Sequence, residues 1–308
     1  MFAIPGRRAV LSSALSLMLG AAQAGTPPKK VLFFSKSSGF EHSVVKEVDG
    51  QPSFAARVLA ELGPRHGIAF TFSKDGGKFT PEYLAQFDAF LFYTTGDLTQ
   101  AGTDGQPPMT AAGKAALLAA IEGGKGFVGA HSASDTFHTA APAAAAAAPG
   151  YRDHGPLADP YIRMLGGEFI MHGSQQSGRM RVADRAFPGL AGLGDSFDLT
   201  EEWYSLKEFA PDMHVLLVQD TAHMGDRDAT GGNLSYVRPS YPSTWARRHG
   251  RGRVFYTAMG HREDVWTNPL FQKLLFGGLA WAVGDAQADV SPNLAAAAPR
   301  AAELPPSK

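Results

Sequence analysis

The feature that most constrains this chain is a short apolar run that turns abruptly polar. Residues 126–130 read Gly-Phe-Val-Gly-Ala, which is typical of a buried strand, and residues 131–135 read His-Ser-Ala-Ser-Asp. Open parallel sheets bind their ligands just beyond the carboxyl ends of the strands, so this turn is a candidate for chemistry. The same residues also fit a structural interpretation, in which Ser134 or Asp135 caps the next helix.

Apolar runs alternate with helical patterns along the rest of the chain. Over about 100 residues, each strand-like run is followed by a segment with helical spacing or a helix start signal. This alternation predicts an α/β fold with a doubly wound, mainly parallel sheet and helices on both faces. The predicted strands cover residues 30–35, 68–73, 89–95, 126–130, 180–182, 197–199, 214–219 and 252–257, and the predicted helices cover 53–63, 80–82, 110–122, 159–165 and 268–283.

The N-terminal residues predict export. Arg7 and Arg8 precede an apolar run, and residues 22–24 read Ala-Gln-Ala, the pattern of a cleavage site, so residues 1–24 are interpreted as a signal peptide. The paired arginines leave both ordinary secretion and twin-arginine export open. No later segment is long and apolar enough to span a membrane. The predicted location is therefore periplasmic or secreted, with no membrane insertion after cleavage.

Composition excludes several classes of protein and site. The chain has 308 residues and no Cys, which excludes disulfides, thiolate metal ligands and thiol nucleophiles. Its net charge of -1 provides no field that would attract nucleic acid. One domain is predicted over residues 29–284, with an Ala-rich insertion at 139–150 and a disordered tail at 285–308. The oligomeric state stays open.

Three histidines follow the ends of predicted strands. His42 comes after the first strand, His131 after the fourth and His261 after the last. Because the carboxyl ends of parallel strands share one edge of a sheet, these loops are expected to lie close together. His172 and Glu202, which follow shorter extended segments, are expected to join them.

Such a cluster suits two kinds of chemistry. Imidazoles titrate near neutral pH, so His131 and His261 are candidates for proton transfer. Glu202 and Asp135 are expected either to orient these rings by fixing their tautomers or to bind substrate hydroxyls. Neutral imidazoles with a carboxylate also suit a divalent metal such as Zn, Fe or Mn. No two histidines have a short ligand spacing, so a metal site requires convergence from distant parts of the chain. The metal candidates are His42, His131, His172 and His261.

Aromatic and hydroxyl side chains near these loops are candidates for substrate binding. Tyr204 and Trp245 can stack on a sugar ring, although aromatic residues are more often part of a core. A serine nucleophile is not predicted, because the hydrolase elbow G-x-S-x-G has Ser at its centre and residues 129–133 here read Gly-Ala-His-Ser-Ala. The candidate substrate-binding set is His42, Ser132, His172, Tyr204 and Trp245.

Five ordered motifs span most of the chain, from about Lys30 to Gly284. They are Ser-Gly-Phe-Glu-His at 38–42, the stretch 126–135, Gly-Gly-Glu-Phe at 166–169 with the following His172, Glu-Glu-Trp-Tyr at 201–204, and the segment 242–261. Together they resemble the ThuA-like (trehalose utilisation) domain family, whose fold is similar to that of class I glutamine amidotransferases. The resemblance implies a flavodoxin-like sheet with a cleft at the strand ends and a role in sugar breakdown, often beside oxidoreductases that make 3-keto sugars.

Amidotransferases of this kind carry a nucleophilic Cys at the elbow, where this chain has His131. Because the chain has no Cys, glutamine hydrolysis by a thiolate is excluded. The leading hypothesis is an exported enzyme that hydrolyses, eliminates or isomerises trehalose, another glycoside or a 3-keto sugar by acid/base chemistry. The expected partner is a small-molecule sugar, and the candidate cofactor is a divalent metal. The alternatives are a non-catalytic sugar-binding protein on the same scaffold and a metal-dependent hydrolase.

Overall fold

A nine-stranded sheet forms the centre of the structure, a computed structural model that describes residues 1, 27–140, 151–225 and 234–306. The strands are β1 Lys29–Phe34, β2 Ile68–Ser73, β3 Ala89–Phe92, β4 Gly126–Ala130, β5 Glu168–His172, β6 Gln176–Val182, β7 Ser196–Glu201, β8 Tyr204–Lys207, β9 His214–Asp220, β10 Tyr241–His249 and β11 Gly252–Thr257. The α-helices are α1 Phe54–Leu62, α2 Pro81–Ala85, α3 Ala111–Glu122, α4 Pro160–Leu165, α5 Glu263–Trp266, α6 Pro269–Ala282 and α7 Leu294–Ala297. The sheet order is β2-β1-β3-β4-β11-β10-β9-β6-β7, and β5 and β8 form a separate two-stranded sheet.

The first half of the sheet is parallel and covered on both faces. β2, β1, β3, β4 and β11 pair in parallel. Alternate residues of β1 enter different cores: Val31 packs with α1 and α6, whereas Leu32 packs with α3 and α4. Every residue of β3 and β4 is buried, as expected for strands with helices on both sides. The predicted doubly wound α/β fold is confirmed.

The second half of the sheet is antiparallel. β10 pairs with β11 and β9, and β6 pairs with β9 and β7. Beside this half, β5 pairs with β8 and places Glu168 opposite Lys207. Because β7 ends at Glu201 and β8 begins at Tyr204, Glu202 lies in the short connection between the two sheets. The antiparallel half thereby contributes a carboxylate to the edge where the parallel strands end.

Residues 285–306 pack against the protein, which corrects the prediction of a disordered tail. The side chain of Asn293 accepts from the amide of Val215 at 2.6 Å and donates to its carbonyl at 3.1 Å. Arg238 Nη2 donates to the carbonyl of Ala301 at 2.7 Å, and Ala301 is buried. The Ala-rich composition resembles that of a disordered chain, but small side chains also let a segment lie close to a neighbouring strand, here β9.

Two predicted segments lie outside the described residues. They are nearly all of the signal peptide, since residues 2–26 are not described, and most of the Ala-rich insertion, at 141–150. Within the described parts of the chain, no helix has the length and apolar character needed to cross a bilayer.

Candidate active site

Four side chains from separate loops meet at the carboxyl end of the parallel strands. His42 follows β1, His131 follows β4, His261 follows β11, and Glu202 comes from the connection between β7 and β8. One ring nitrogen or carboxylate oxygen from each lies within 4.8 Å of the others. The ring centroids of the three histidines are 5.0 to 5.1 Å apart. The structure thus brings together the three strand-end histidines and one carboxylate.

His131 occupies the sharp turn that ends β4. Its φ of 44° lies in the left-handed region, which costs a non-glycine residue about 1–2 kcal/mol. The turn is held because Tyr256 donates a hydrogen bond from its hydroxyl to the His131 carbonyl at 2.8 Å. His131 Nδ1 donates to the carbonyl of Ala258 at 2.9 Å, so the lone pair of Nε2 faces the cluster. The ring is fully buried and can serve as a base or a metal ligand.

Glu202 is the negative charge of the cluster. Its Oε2 lies 3.0 Å from His261 Nδ1 and 3.6 Å from His131 Nε2, and its Oε1 lies 3.4 Å from His172 Nδ1. Burial opposes ionisation, but the interactions with His131 and His261 outweigh burial and hold the pKa of Glu202 well below its usual value. Glu202 is therefore a carboxylate in the folded protein.

The electrostatics of His42 and His261 differ. Burial, together with repulsion from His131 and His261, lowers the pKa of His42 to about 2, so its ring is neutral. For His261 burial also opposes protonation, but hydrogen bonding to Glu202 outweighs it and raises the pKa above its usual value. His42 Nε2 lies 3.4 Å from the hydroxyl of Tyr204, and its Nδ1 has no hydrogen-bond partner among the described residues.

A match over most of the chain identifies the protein family to which this fold and cluster belong. The profile of the trehalose utilisation (ThuA) family matches residues 30–282, which includes all four side chains. The chain belongs to the ThuA family. It has no significant sequence match among curated proteins.

Two solved structures share the ThuA fold. A protein from Bacteroides uniformis ATCC 8492 described as ThuA-like is 21% identical, with 88% of this chain and 97% of that chain covered and a TM-score of 0.61. Another from Parabacteroides merdae ATCC 43184 is 15% identical, with 91% and 98% covered and a TM-score of 0.54. At these identities the likeness establishes the fold.

Glu201 is a residue of this ThuA domain that sequence reasoning missed. Its Oε2 accepts from the amides of Gly260 at 2.7 Å and His261 at 3.1 Å, and its Oε1 accepts from the amide of Glu202 at 2.9 Å. Glu201 is fully buried, and burial raises its pKa. One side chain thus fixes the backbone of two members of the cluster. The available signal was the pair of adjacent carboxylates at a strand end, which must point in different directions.

The rim of the cluster carries polar side chains. His172 exposes 45% of its side chain, and its Nδ1 donates to the carbonyl of Gly173 at 2.9 Å. Gln175 Nε2 lies 3.0 Å from His261 Nε2, and Gln175 Oε1 accepts from Arg262 Nη1 at 2.7 Å. His172 is therefore beside the cluster, as expected, and it is more accessible than the four central side chains.

Three predicted substrate contacts are buried. Tyr204 packs its ring 4.1 Å from that of His131, and Ser132 is fully buried next to it. Trp245 lies in the core, where its Nε1 donates to the carbonyl of Leu165 at 2.8 Å and its ring packs against that of Tyr256 at a tilt of 33°. The prediction that Trp245 contacts a sugar is therefore corrected: β10 lies inside the sheet, and its large aromatic side chain fills the space under α4.

Asp135 takes part in a second polar cluster rather than in the first. Its Oδ1 lies 2.5 Å from His138 Nε2, and His138 Nδ1 lies 3.0 Å from Glu168 Oε1. Glu168 Oε2 in turn pairs with Lys207 Nζ at 3.0 Å. The prediction that Asp135 orients a ring of the catalytic pair is corrected, since the ring that it orients is that of His138.

Lys207 lies within a group of His and Glu side chains whose ligand atoms otherwise have the spacing of a metal site. Ligand atoms of His154, Glu168 and Glu208 lie within 4.8 Å of one another. Lys207 Nζ lies 3.2 Å from His154 Nδ1 and 3.8 Å from Glu208 Oε1, in addition to its pairing with Glu168. The ammonium group pairs with both carboxylates, and Glu168 joins this group to Asp135 and His138. The second cluster is therefore an ion-pair network.

Proposed function

We propose that this ThuA protein is a metal-dependent enzyme that converts a sugar, with a divalent transition-metal ion held by His42, His131, Glu202 and His261. The observation that carries the proposal is the convergence of four donor atoms within 4.8 Å at the edge of a parallel sheet. Three imidazoles and one carboxylate form a donor set suited to Zn, Fe or Mn. The choice of a sugar as the substrate rests on the family, which is described as trehalose utilisation.

The surroundings of the four side chains fit such an ion. The Ala258 carbonyl fixes the tautomer of His131, as partners of metal-binding histidines commonly do. Among the described residues, buried polar atoms without a hydrogen-bond partner adjoin the cluster, namely His42 Nδ1, Tyr93 Oη and Ser132 Oγ. Buried orphan atoms of this kind are explained when a further species occupies the site.

Each side chain then has a defined task. A bound divalent ion supplies Lewis acidity, which polarises a carbonyl or hydroxyl oxygen of the sugar. Glu201 fixes the backbone of Glu202 and His261, so that their side chains are held before the substrate arrives. His172, exposed at the rim and 3.4 Å from Glu202, is the side chain placed to exchange a proton with the substrate. The reaction class is hydrolysis, elimination or isomerisation.

The orientation of Gln175 favours a second candidate, proton transfer without a metal. Because Gln175 Oε1 accepts from Arg262, its amide group donates to His261 Nε2. The proton of His261 then lies on Nδ1, directed at Glu202 Oε2 3.0 Å away. In this arrangement His261 and Glu202 form an acid/base pair, and a metal would require reversal of the Gln175 amide.

One experiment separates these candidates. The purified mature protein is assayed by mass spectrometry for bound metal and by NMR for turnover of disaccharides and their 3-keto forms, with and without chelator. Bound metal and chelator-sensitive turnover support the metal-dependent enzyme. Turnover that survives metal removal but is lost in His261→Ala supports the acid/base pair. Saturable sugar binding without turnover, by either form, indicates a non-catalytic sugar-binding protein.

We also propose that the protein is exported. The support is the sequence of residues 1–24, with Arg7 and Arg8 before an apolar run and an Ala-Gln-Ala cleavage pattern. Fractionation of bacteria that express the full chain tests the proposal. Recovery from the periplasm or medium with an N-terminus near Gly25 supports export, and recovery from the cytoplasm with an intact N-terminus contradicts it.

A further inference from the structure

Phe40 is an exposed aromatic side chain next to His42 of the candidate active site. Its relative exposure is 67%, more than that of any other aromatic side chain in the described parts of the chain. Its ring centroid lies 5.0 Å from that of His42, with the two ring planes at 90°. Isolated exposed apolar residues are common on protein surfaces, so exposure alone assigns Phe40 no role.

The loop that carries Phe40 is fixed by several interactions. The hydroxyl of Thr95 donates to the Phe40 carbonyl at 2.8 Å, and the amide of Ser38 donates to the Thr95 carbonyl at 2.8 Å. Glu41, the next residue, pairs with the buried Lys74 at 3.0 Å. An aromatic ring on a loop held in this way is presented in a defined position, and ordering it costs little when a ligand binds.

Polar side chains adjoin two other members of the cluster, His261 and Glu202. Gln175 and Arg262 are joined at 2.7 Å next to His261, and His172 exposes almost half of its side chain. A ligand that contacts both Phe40 and these polar side chains has one apolar face for Phe40 and hydroxyl groups at its edge for the polar side chains. A pyranose ring has both, since its C–H groups form an apolar face and its hydroxyls project from the edge.

We propose that Phe40 is the platform on which one sugar ring of the substrate stacks, while the reacting part of the sugar reaches the cluster behind His42. The inference rests on the proposed function for the choice of a sugar as the ligand of this site. Phe40 contacts the sugar in the ground state and the transition state alike. Its removal therefore raises KM more than it lowers kcat.

The kinetic test compares two exposed phenylalanines in the metal-loaded protein. Phe40→Ala is expected to raise KM about tenfold and to change kcat by less than about twofold, the effect of losing one aromatic contact. Phe40→Tyr keeps the aromatic face and restores KM. Phe72→Ala is the matched control, because Phe72 lies on β2 with 40% exposure and is expected to leave both constants unchanged. An unchanged KM in Phe40→Ala overturns the proposal.

A binding test works without turnover. The four native tryptophans, Trp203, Trp245, Trp266 and Trp281, are fully buried, so the Phe40→Trp variant adds one solvent-exposed fluorophore. It is titrated with α,α-trehalose, maltose and sucrose, with mannitol as an acyclic polyol that lacks a ring face. The expected result is a saturable change in emission with at least one disaccharide and none with mannitol.

The two tests distinguish the failure of the platform from the failure of the enzyme. A fluorescence response without turnover by the wild-type protein upholds the platform and contradicts the proposed enzyme. Turnover by the wild-type protein with no fluorescence response to its substrate overturns the platform and leaves the enzyme. An equal response to mannitol and to the disaccharides also overturns it, because hydroxyl groups alone would then account for binding.

Discussion

Two clusters of His and Glu lie near each other in this structure, and they differ in what stands at their centre. In the cluster of His42, His131, Glu202 and His261, possible ligand atoms converge and no Lys or Arg pairs with Glu202 among the described residues. In the second cluster, Lys207 Nζ lies between the same kinds of groups.

The comparison of the two clusters indicates that the spacing of ligand atoms alone does not make a metal site. Each cluster places three or more ligand atoms within 4.8 Å of one another. A buried carboxylate needs a compensating positive charge, and a lysine can supply it as well as an ion can. Whether the protein itself supplies that charge is therefore what separates a candidate metal site from an internal ion pair.

The largest effect is expected from Glu202→Gln. The variant removes the only carboxylate of the first cluster and should lower turnover at least about 1,000-fold, with loss of bound metal. Glu168→Gln is the matched control in the second cluster, and this variant should keep the metal bound at the first cluster. Metal content by mass spectrometry and initial rates check both variants. Equal metal loss in the two would remove the distinction between the clusters.

Lys207→Met is expected to have the next largest effect. It leaves the buried Glu168 with the partly exposed His138 as its remaining cationic partner, which should lower the free energy of unfolding by about 1–3 kcal/mol. Urea unfolding followed by circular dichroism measures the loss. Lys46→Met, at an exposed lysine, should change stability by less than about 0.5 kcal/mol. A Lys207→Met variant as stable as the wild type would show that the ammonium group does not hold the second cluster together.

Glu201→Gln is expected to weaken metal binding about tenfold to 100-fold while the fold is retained. The Gln side chain keeps one acceptor oxygen, but its NH2 group then faces a backbone N–H group. In the wild-type protein the carboxylate accepts a hydrogen bond from that N–H group. Competition with a chromophoric chelator measures the affinity. Glu201→Asp is informative beside it, because it keeps the charge but shortens the reach. Unchanged affinity in both would assign Glu201 no part in positioning the ligands.

The smallest effect concerns the pH dependence of His138. Burial opposes its protonation, but hydrogen bonds with Asp135 and Glu168 outweigh burial and raise its pKa to about 9. The folded pKa exceeds the unfolded value of about 6.5, so this stabilisation is fully present below pH 6.5 and is lost as the pH rises through 9. Because the side chain is 42% exposed, the effect should reach at most about 1 kcal/mol.

The matched variant for that test is His138→Gln. Its unfolding free energy should approach that of the wild type between pH 6.5 and 9, and an NMR titration of the wild-type ring should give a pKa near 9. A ring that titrates near 6.5 would show that the two carboxylates do not hold a proton there.

The sequence predicted the parallel half of the fold and the part of the site that this half creates. His42, His131 and His261 could be placed together because each follows a buried apolar run, and parallel strands end at one edge. Glu202 was found because it follows a shorter extended segment, at residues 197–199. These inferences depend on local patterns and one topological rule.

Features that depend on long-range packing could not be predicted. Nothing local shows that Asp135 turns towards His138 rather than His131, because that choice depends on Glu168 from another sheet. Trp245 has the same sequence signal whether it faces a ligand or a core. Glu201 is recognisable only when the backbone amides of Gly260 and His261 are in place around it.

The origin of the four central side chains has a consequence for how the protein matures. His42 lies near the start of the domain and His261 near its end, so no fragment and no nascent chain presents the complete set. Under the proposed function, only the finished fold would capture the ion, which would then stabilise the native state by mass action and slow its unfolding. The compartment in which folding finishes, and the metals free within it, would therefore decide which metal the proposed site takes up.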